Sequence, residues 1–274
     1  SRWYEWSLRV LGVKLASRRG DHEKAIAIAE EMVGTPNVPP SDAIQAELAA
    51  CEALVAGGRA REAETRLEAC ETRMDPRSAP ASWGEFLRIR GTVHEQSNRP
   101  AAAHHDFAQS ASVFDLLGER YHAALSHLAL GRLAVKGSNR SAAERYLNQA
   151  STTFGTLGAE HDLREVEALR TSLNEAPRDQ PVVFPDQDDA VVRRLVDAAI
   201  LPDLLARETA TSLLETIAAD AAVVFTAASG GDVRIAAAAG CDSEVARALA
   251  RAALQGNTKY AGGIVMTEPL GRDY

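Results

Sequence analysis

The chain holds 274 residues, of which 46% are hydrophobic, 25% charged and 5% aromatic. That length predicts two domains at roughly 150 residues each, and the balanced composition excludes wholesale disorder. With 30 basic and 38 acidic side chains the net charge is −8, so the broad positive field that phosphate-backbone binding needs is missing and nucleic-acid contact is not expected. Alanine dominates the apolar fraction, and it combines high helix propensity with close helix approach. Cys51, Cys70 and Cys241 lack CxxC spacing and fit a reducing cytoplasm. No apolar run approaches the ~18 residues a membrane helix requires, and no signal peptide opens the chain. Starting at Ser1 and stopping at Tyr274 in mid-pattern, it is expected to be a fragment of a longer protein.

The chain aligns with itself at an offset of 40 residues: Gly91 falls on Gly131, Ala103 on Ala143, Phe107 on Leu147, Phe114 on Phe154 and Gly118 on Gly158. One step earlier, Cys51, Ala63 and Leu67 precede Gly91, Ala103 and Phe107, and the turn positions Gly58, Asn98 and Ser138 coincide. A further unit begins with Gly20 and Ala25, 38 residues before Gly58 and Ala63. Four units are therefore predicted, each a pair of antiparallel helices. In the second, Ile44, Leu48, Cys51 and Val55 form one helical stripe, Gly57-Gly58 breaks it, Ala63, Leu67 and Cys70 form the next, and Asp75-Pro76 closes the unit. In the fourth, Ala124, Leu128, Gly131 and Val135 precede a turn, and Ser141 with Glu144 reads as the capping box of the following helix. Small residues recur at Cys51, Gly91 and Gly131 in first helices and at Ala63, Ala103 and Ala143 in second ones. They are expected at a close crossing where both partners are small, with Leu67, Phe107 and Leu147 packing against the next unit.

Three stretches, GDHEKAIA at Gly20–Ala27, GRAREAETRL at Gly58–Leu67 and LALGRLAVKG at Leu128–Gly137, resemble the turn and helix signatures of the tetratricopeptide repeat (TPR). The resemblance covers about residues 5–174, including a capping helix at Glu160–Asn174, with units longer than the family's ~34 residues. Such lengthened units resemble the repeats of large bacterial transcriptional regulators. The resemblance implies a mainly α fold over residues 1–174: an α-solenoid of about four helical hairpins whose inner surface, formed by the first helices, receives a protein or peptide. Family positions put Gln45, Glu52, Glu85, Arg88, Thr92, Gln96, Arg132 and Lys136 near that concave face. The competing reading of each is an ordinary solvated helix residue.

Residues 175–189, EAPRDQPVVFPDQDD, hold three prolines and five acids without helical period and read as a linker, with Val182-Val183-Phe184 lying against one domain. From residue 190, Val191, Leu195, Ala198 and Ala199 predict a helix, and Leu204, Thr211, Leu214, Ile217 and Ala218 a second one ending at Asp220. Ala221–Ala227 reads as a buried strand, residues 229–232 as a turn and Val233–Ala239 as the hairpin partner, closed by Gly240. Asp242 then caps a helix over Ser243–Leu254, and Gly262–Glu268 reads as one more strand. The stretches Leu213–Ala227 and Val233–Val245 resemble the opening half of a GAF domain. That implies a small α/β domain over residues 190–274, its sheet either completed beyond Tyr274 or left as a remnant.

The seven histidines, His22, His94, His104, His105, His122, His127 and His161, offer no helical metal pair: His122 and His127 stand five apart and His104 and His105 are adjacent. No metal or cofactor is expected. The phosphate-binding loop, nucleophile elbow and kinase signatures are all missing, the motif of cyclic-nucleotide-binding GAF members is unmatched, and Cys241 beside an acid is expected to keep its proton. The chain is therefore not expected to be an enzyme. Together the resemblances imply a cytoplasmic regulatory region of a bacterial transcriptional regulator of the AAA+ activator type. Its repeats would bind a protein partner, and its GAF-like part would sense a signal or pair two copies. Two alternatives stand beside this: a plain scaffold for complex assembly, and the regulatory arm of a histidine or Ser/Thr kinase.

Overall fold

The computed structural model describes residues 3–175, 187–199, 202–216, 219–227, 232–256, 259–260 and 263–264. They are mainly helical with a small antiparallel hairpin, and the chain divides into two compact units, Ser1–Ala190 and Val191–Tyr274. No helix among the described residues is long and apolar enough to cross a membrane.

The first unit runs through α1 (Trp3–Arg18), α2 (His22–Gly34), α3 (Pro40–Ala56), α4 (Ala60–Glu71), α5 (Pro80–Gln96), α6 (Pro100–Leu117), α7 (Arg120–Lys136), α8 (Arg140–Leu157) and α9 (Glu160–Glu175). Three residues join α1 to α2, α3 to α4, α5 to α6 and α7 to α8, which leaves room only for a reversal. In each of these turns the middle residue has positive φ: 83° at Gly20, 77° at Gly58, 56° at Asn98 and 55° at Ser138. Glycine meets that requirement without strain and asparagine tolerates it, whereas Ser138 adopts it at some cost. Each helix packs on its predecessor, and α1, α3, α5, α7 and α9 also pack on one another in sequence.

The close crossings differ from the expected small-against-small contact. A Cβ on Gly91 would lie 2.7 Å from the Phe107 ring, and one on Gly131 would lie 2.7 Å from the Leu147 side chain. The small residue of the first helix thus receives the large residue of the second, while Ala103 and Ala143 are buried one turn before it. Side chains lean toward the N-terminus of their own helix, so a residue one turn on covers the crossing. Phe107 and Leu147 also reach the following helices, joining Ala129, Leu130 and Leu133 in one case and Val166 in the other. The cap of α8 is likewise corrected. Asn139 accepts the Ala142 N–H at 3.1 Å, which places Ser141 inside the first turn, and Glu144 pairs with Arg140 at 3.5 Å. Charged side chains tie successive units together on the other face: Arg59 reaches Glu23 at 2.8 Å, Arg66 reaches Glu30, and Arg99 reaches Glu64 at 2.5 Å.

Of the expected linker, Glu175 ends α9 and residues 187–189 open α10 (Gln187–Ala198), while residues 176–186, Val182–Phe184 among them, lie outside those described. Helix ends without apolar residues carry no period, which hid this start from the sequence. In the second unit α10 is followed by α11 (Pro202–Thr216), which stops short of Asp220; Ile217 and Ala218 are not among the described residues. β1 (Ala222–Ala227) pairs antiparallel with β2 (Val233–Ala239), with a bulge after Val224. Beyond Ala222, β1 is half-buried through Phe225 and exposed at Thr226 and Ala227, so it is not the buried strand expected. The turn at 229–231 lies outside the described residues. Gly240, at φ 76°, has no room for a Cβ, which would stand 2.3 Å from the Asp220 carbonyl oxygen. α12 (Ser243–Leu254) is capped by Asp242, which accepts the Glu244 and Val245 N–H groups at 2.9 Å. A second short pairing joins β3 (Lys259–Tyr260) to β4 (Gly263–Ile264), the described part of the last expected strand.

The second unit is held by a buried ion cluster that no apolar pattern announces. Arg194 on α10 donates from Nε and Nη2 to Glu208 at 3.0 and 2.6 Å, and from Nη1 to Glu215 at 2.8 Å, both on α11. Arg194 and Glu208 are fully buried. Burial works against the guanidinium charge, but the two carboxylates overcome it and raise the Arg194 pKa above its ordinary value.

Candidate functional site

Helices α3, α5, α7 and α9 together line an open cleft of about 430 Å³. Its floor is apolar, from Val55, Ile89, Leu125, Leu128 and Ala129, and its walls are two rows of residues 40 apart: Glu52, Thr92 and Arg132, then Ala56, Gln96 and Lys136. The repeat register therefore delivers each row to one side of the cleft, because equivalent positions on stacked helices share a face.

Six of the eight residues singled out from the sequence, Glu52, Arg88, Thr92, Gln96, Arg132 and Lys136, line this cleft. Arg88 binds Glu52 at 2.9 Å across α5 and α3. Burial opposes the Glu52 charge, but Arg88 prevails and holds the carboxyl below its ordinary range. Thr92 donates its hydroxyl to the Arg88 carbonyl one turn back in α5 at 3.0 Å, while Gln96 donates to the Val55 carbonyl at 3.0 Å and so links α5 to α3 as well as lining the wall. Gln45 and Glu85 do not line it. Gln45 donates to the Ser82 hydroxyl at 2.9 Å, and Glu85 is buried against Lys14 of α1 at 2.7 Å.

Sequence reasoning missed the acid at the centre of the cleft. Glu95 accepts from Arg132 at 2.9 and 3.2 Å and from Lys136 at 2.6 Å, and its side chain is 4% exposed. Burial raises its pKa, yet the two cations more than offset that and keep it below the usual carboxylate range. Arg132 also approaches Glu165 of α9 at 3.5 Å. A signal for Glu95 existed: its equivalents one unit away on either side, Val55 and Val135, are apolar, so an acid there had to be paired. A second polar chain runs from Arg18 of α1 to Tyr121 of α7 and on to Asp162 of α9 at 3.1 Å.

The positions chosen for packing, Cys51, Ala63, Ala103 and Ala143, are fully buried, and Gly91 and Gly131 lie in the crossings described above. Burial, with Glu47 assisting, pushes the Cys51 thiol well above its ordinary pKa, and burial also raises Cys70. For Cys241 burial again leads and Asp242 comes second, not the acid alone. None of the three thiols is activated toward the thiolate. Among the described residues no group of His, Cys, Asp and Glu is placed to hold a metal ion. His122 stacks on Phe114 with ring centroids 4.9 Å apart, and burial lowers its pKa, which disfavours its charged form. What the cleft offers is an apolar floor flanked by ion pairs that a ligand's own charges can exchange. The chain matches no protein-family model, no curated protein and no solved structure.

Proposed function

We propose that the cleft of α3, α5, α7 and α9 holds an extended segment of a partner protein, with an apolar side chain on the Ile89–Leu128 floor and an acidic group against Lys136. In this reading residues 1–174 are a TPR-like α-solenoid, and the chain is the cytoplasmic, non-catalytic regulatory region of a bacterial transcriptional regulator of the AAA+ activator type. Residues 190–274 act as a GAF-like part that senses a signal or pairs two copies; the β1–β2 hairpin followed by the capped α12 supports that resemblance. The observation that carries the proposal is the convergence of two repeat-equivalent rows, bearing both charge signs, over one apolar floor. Paired charges around a concave apolar surface suit recognition of a mixed-sequence peptide.

The test is selection from a displayed peptide library by the whole chain, followed by affinity measurement on the enriched sequences. These peptides are expected to place an acidic residue near an apolar one and to lose roughly tenfold in affinity against Lys136→Glu. Because Lys136 also pairs with the buried Glu95, Lys136→Gln, which sets no second carboxylate beside it, is measured in parallel and is expected to weaken the same peptides, with the melting transition of each variant checking its fold. Failure to enrich any peptide, or enriched peptides indifferent to Lys136→Glu, overturns the proposal.

A further inference from the structure

The charges of the cleft follow an order from helix to helix. α3 contributes Glu52, α7 contributes Arg132 and Lys136, and α9 contributes Glu165, while Arg88 and Glu95 of α5 cancel in sum. Exposure decides which of these a ligand meets. The side chains of Lys136, Glu165, Glu52 and Arg132 are 61%, 42%, 36% and 28% exposed, whereas those of Arg88 and Glu95, at 13% and 4%, are taken up by internal pairs. The cleft therefore offers an acid on α3, two cations on α7 and an acid on α9, with the apolar floor at Ile89 of α5 after the first. Arg132 divides its contacts between Glu95 at 2.9 Å and Glu165 at 3.5 Å, which leaves Glu165 the weaker share. These helices pack on one another in sequence, and packed helices stand about 8–10 Å apart. An extended segment advances about 3.3 Å per residue, so roughly three residues carry it from one helix to the next.

Building on the reading of the cleft as a peptide site, we infer that its occupant carries a fixed charge order. A basic residue lies over α3, an apolar one over α5, an acidic one over α7 and a second basic one over α9, at intervals of about three residues. Each of these charges meets its opposite, and each exchange of sign sets like against like. An acidic segment that satisfies α7 would meet Glu52 and Glu165, and a basic segment would meet Arg132 and Lys136. A nucleic-acid strand is turned away on the same ground, because its evenly spaced phosphates would meet both carboxylates. The partner is thus a mixed-charge protein segment of roughly ten residues with its acid inside and its bases at the two ends.

Fluorescein-labelled decapeptides test the order by anisotropy titration with the whole 274-residue chain. One carries lysine, leucine, glutamate and lysine at its first, fourth, seventh and tenth places, with serine elsewhere. A second has this sequence reversed, since an extended segment can lie in a groove either way round. In two further peptides, one for each direction, the glutamate and the lysine over α3 exchange places at unchanged composition. The better ordered peptide is expected to bind at least about tenfold more tightly than either exchanged one. Replacing its lysine over α9 by serine costs a few-fold against the parent chain and nothing against Glu165→Gln. The lysine over α3 behaves likewise with Glu52→Gln, and the melting transition of each variant checks its fold. Exchanged peptides that bind as tightly as the ordered ones overturn the charge order, and so does an absence of binding by both ordered peptides. The displayed library separates that failure from a failure of the cleft. Enriched peptides that ignore the order but weaken with Lys136→Gln overturn the order alone, whereas a library that enriches nothing overturns the cleft reading and the order with it.

Discussion

The two units of this chain meet the same physical demand by opposite means. In the helical unit, burial is spread over recurring contacts, each modest and each nearly copied 40 residues further on, as Gly91 with Phe107 and Gly131 with Leu147 illustrate. Among the described residues of the second unit no such recurrence is seen, and the buried Arg194 with two glutamates joins α10 to α11. Distributed contacts make damage local, because each hairpin leans only on its neighbours. A concentrated contact makes one residue decisive.

The sharpest way to break that contrast is Arg194→Ala. Removing the cation leaves Glu208 buried and uncompensated, and the second unit should lose about 3–5 kcal/mol. All three tryptophans, Trp3, Trp6 and Trp83, belong to the first unit, so their fluorescence transition should stay in place while hydrogen exchange in α10 to α12 accelerates. Replacing Arg194 by Met together with Glu208→Leu should recover most of the loss, since an apolar pair of similar volume removes the need for compensation.

Gly131→Leu is next in size. Its side chain must displace Leu147 or force α7 from α8, at about 1–3 kcal/mol or more, and here the tryptophan transition should fall while exchange in the second unit is unchanged. A melt identical to the parent would contradict the crossing geometry.

Acid should separate the units in a third way. Asp106 is buried and, although burial raises its pKa, His94 and Arg90 hold it below the usual carboxylate range, as Arg132 and Lys136 do for Glu95. A folded-state pKa below the unfolded one gives stabilisation that is present above the unfolded value and is lost as pH falls through the folded value. The first unit should therefore weaken progressively below about pH 4, and Asp106→Asn should flatten that dependence in denaturant titrations read by tryptophan fluorescence.

The smallest effects come from a matched pair of cap deletions. Asn139→Ala at α8 and Asp242→Ala at α12 should each cost about 1 kcal/mol, visible only in the transition of the unit that contains the cap.

Much of this architecture was legible in the sequence because apolar spacing reports directly on packed faces. The spans of β2 and α12 and the turns at Gly58, Asn98 and Ser138 follow from pattern alone. Rows such as Glu52, Thr92 and Arg132 reach the cleft because forty-residue equivalence carries position as well as identity. What escaped was polar. Glu95, Asp106 and the Arg194–Glu208 pair are buried charges, and a periodicity argument sorts charges to the surface by default. The direction in which side chains lean escaped as well, which is why Phe107 rather than Ala103 fills the space beside Gly91.

The spacing of contacts along the chain has a further consequence. Several polar contacts between the first helices of neighbouring hairpins span 36 to 41 positions, as in Arg88 with Glu52, Arg132 with Glu95 and Gln96 with Val55. Adding or losing one residue within a helix turns everything after it by about 100° and would carry a cleft row out of line. Gaining or losing a whole hairpin leaves every such separation as it was. Length in this unit is therefore quantised: the chain can lengthen or shorten in steps of about forty residues, and each step adds or removes one rung of the cleft and one increment of the segment it can grip.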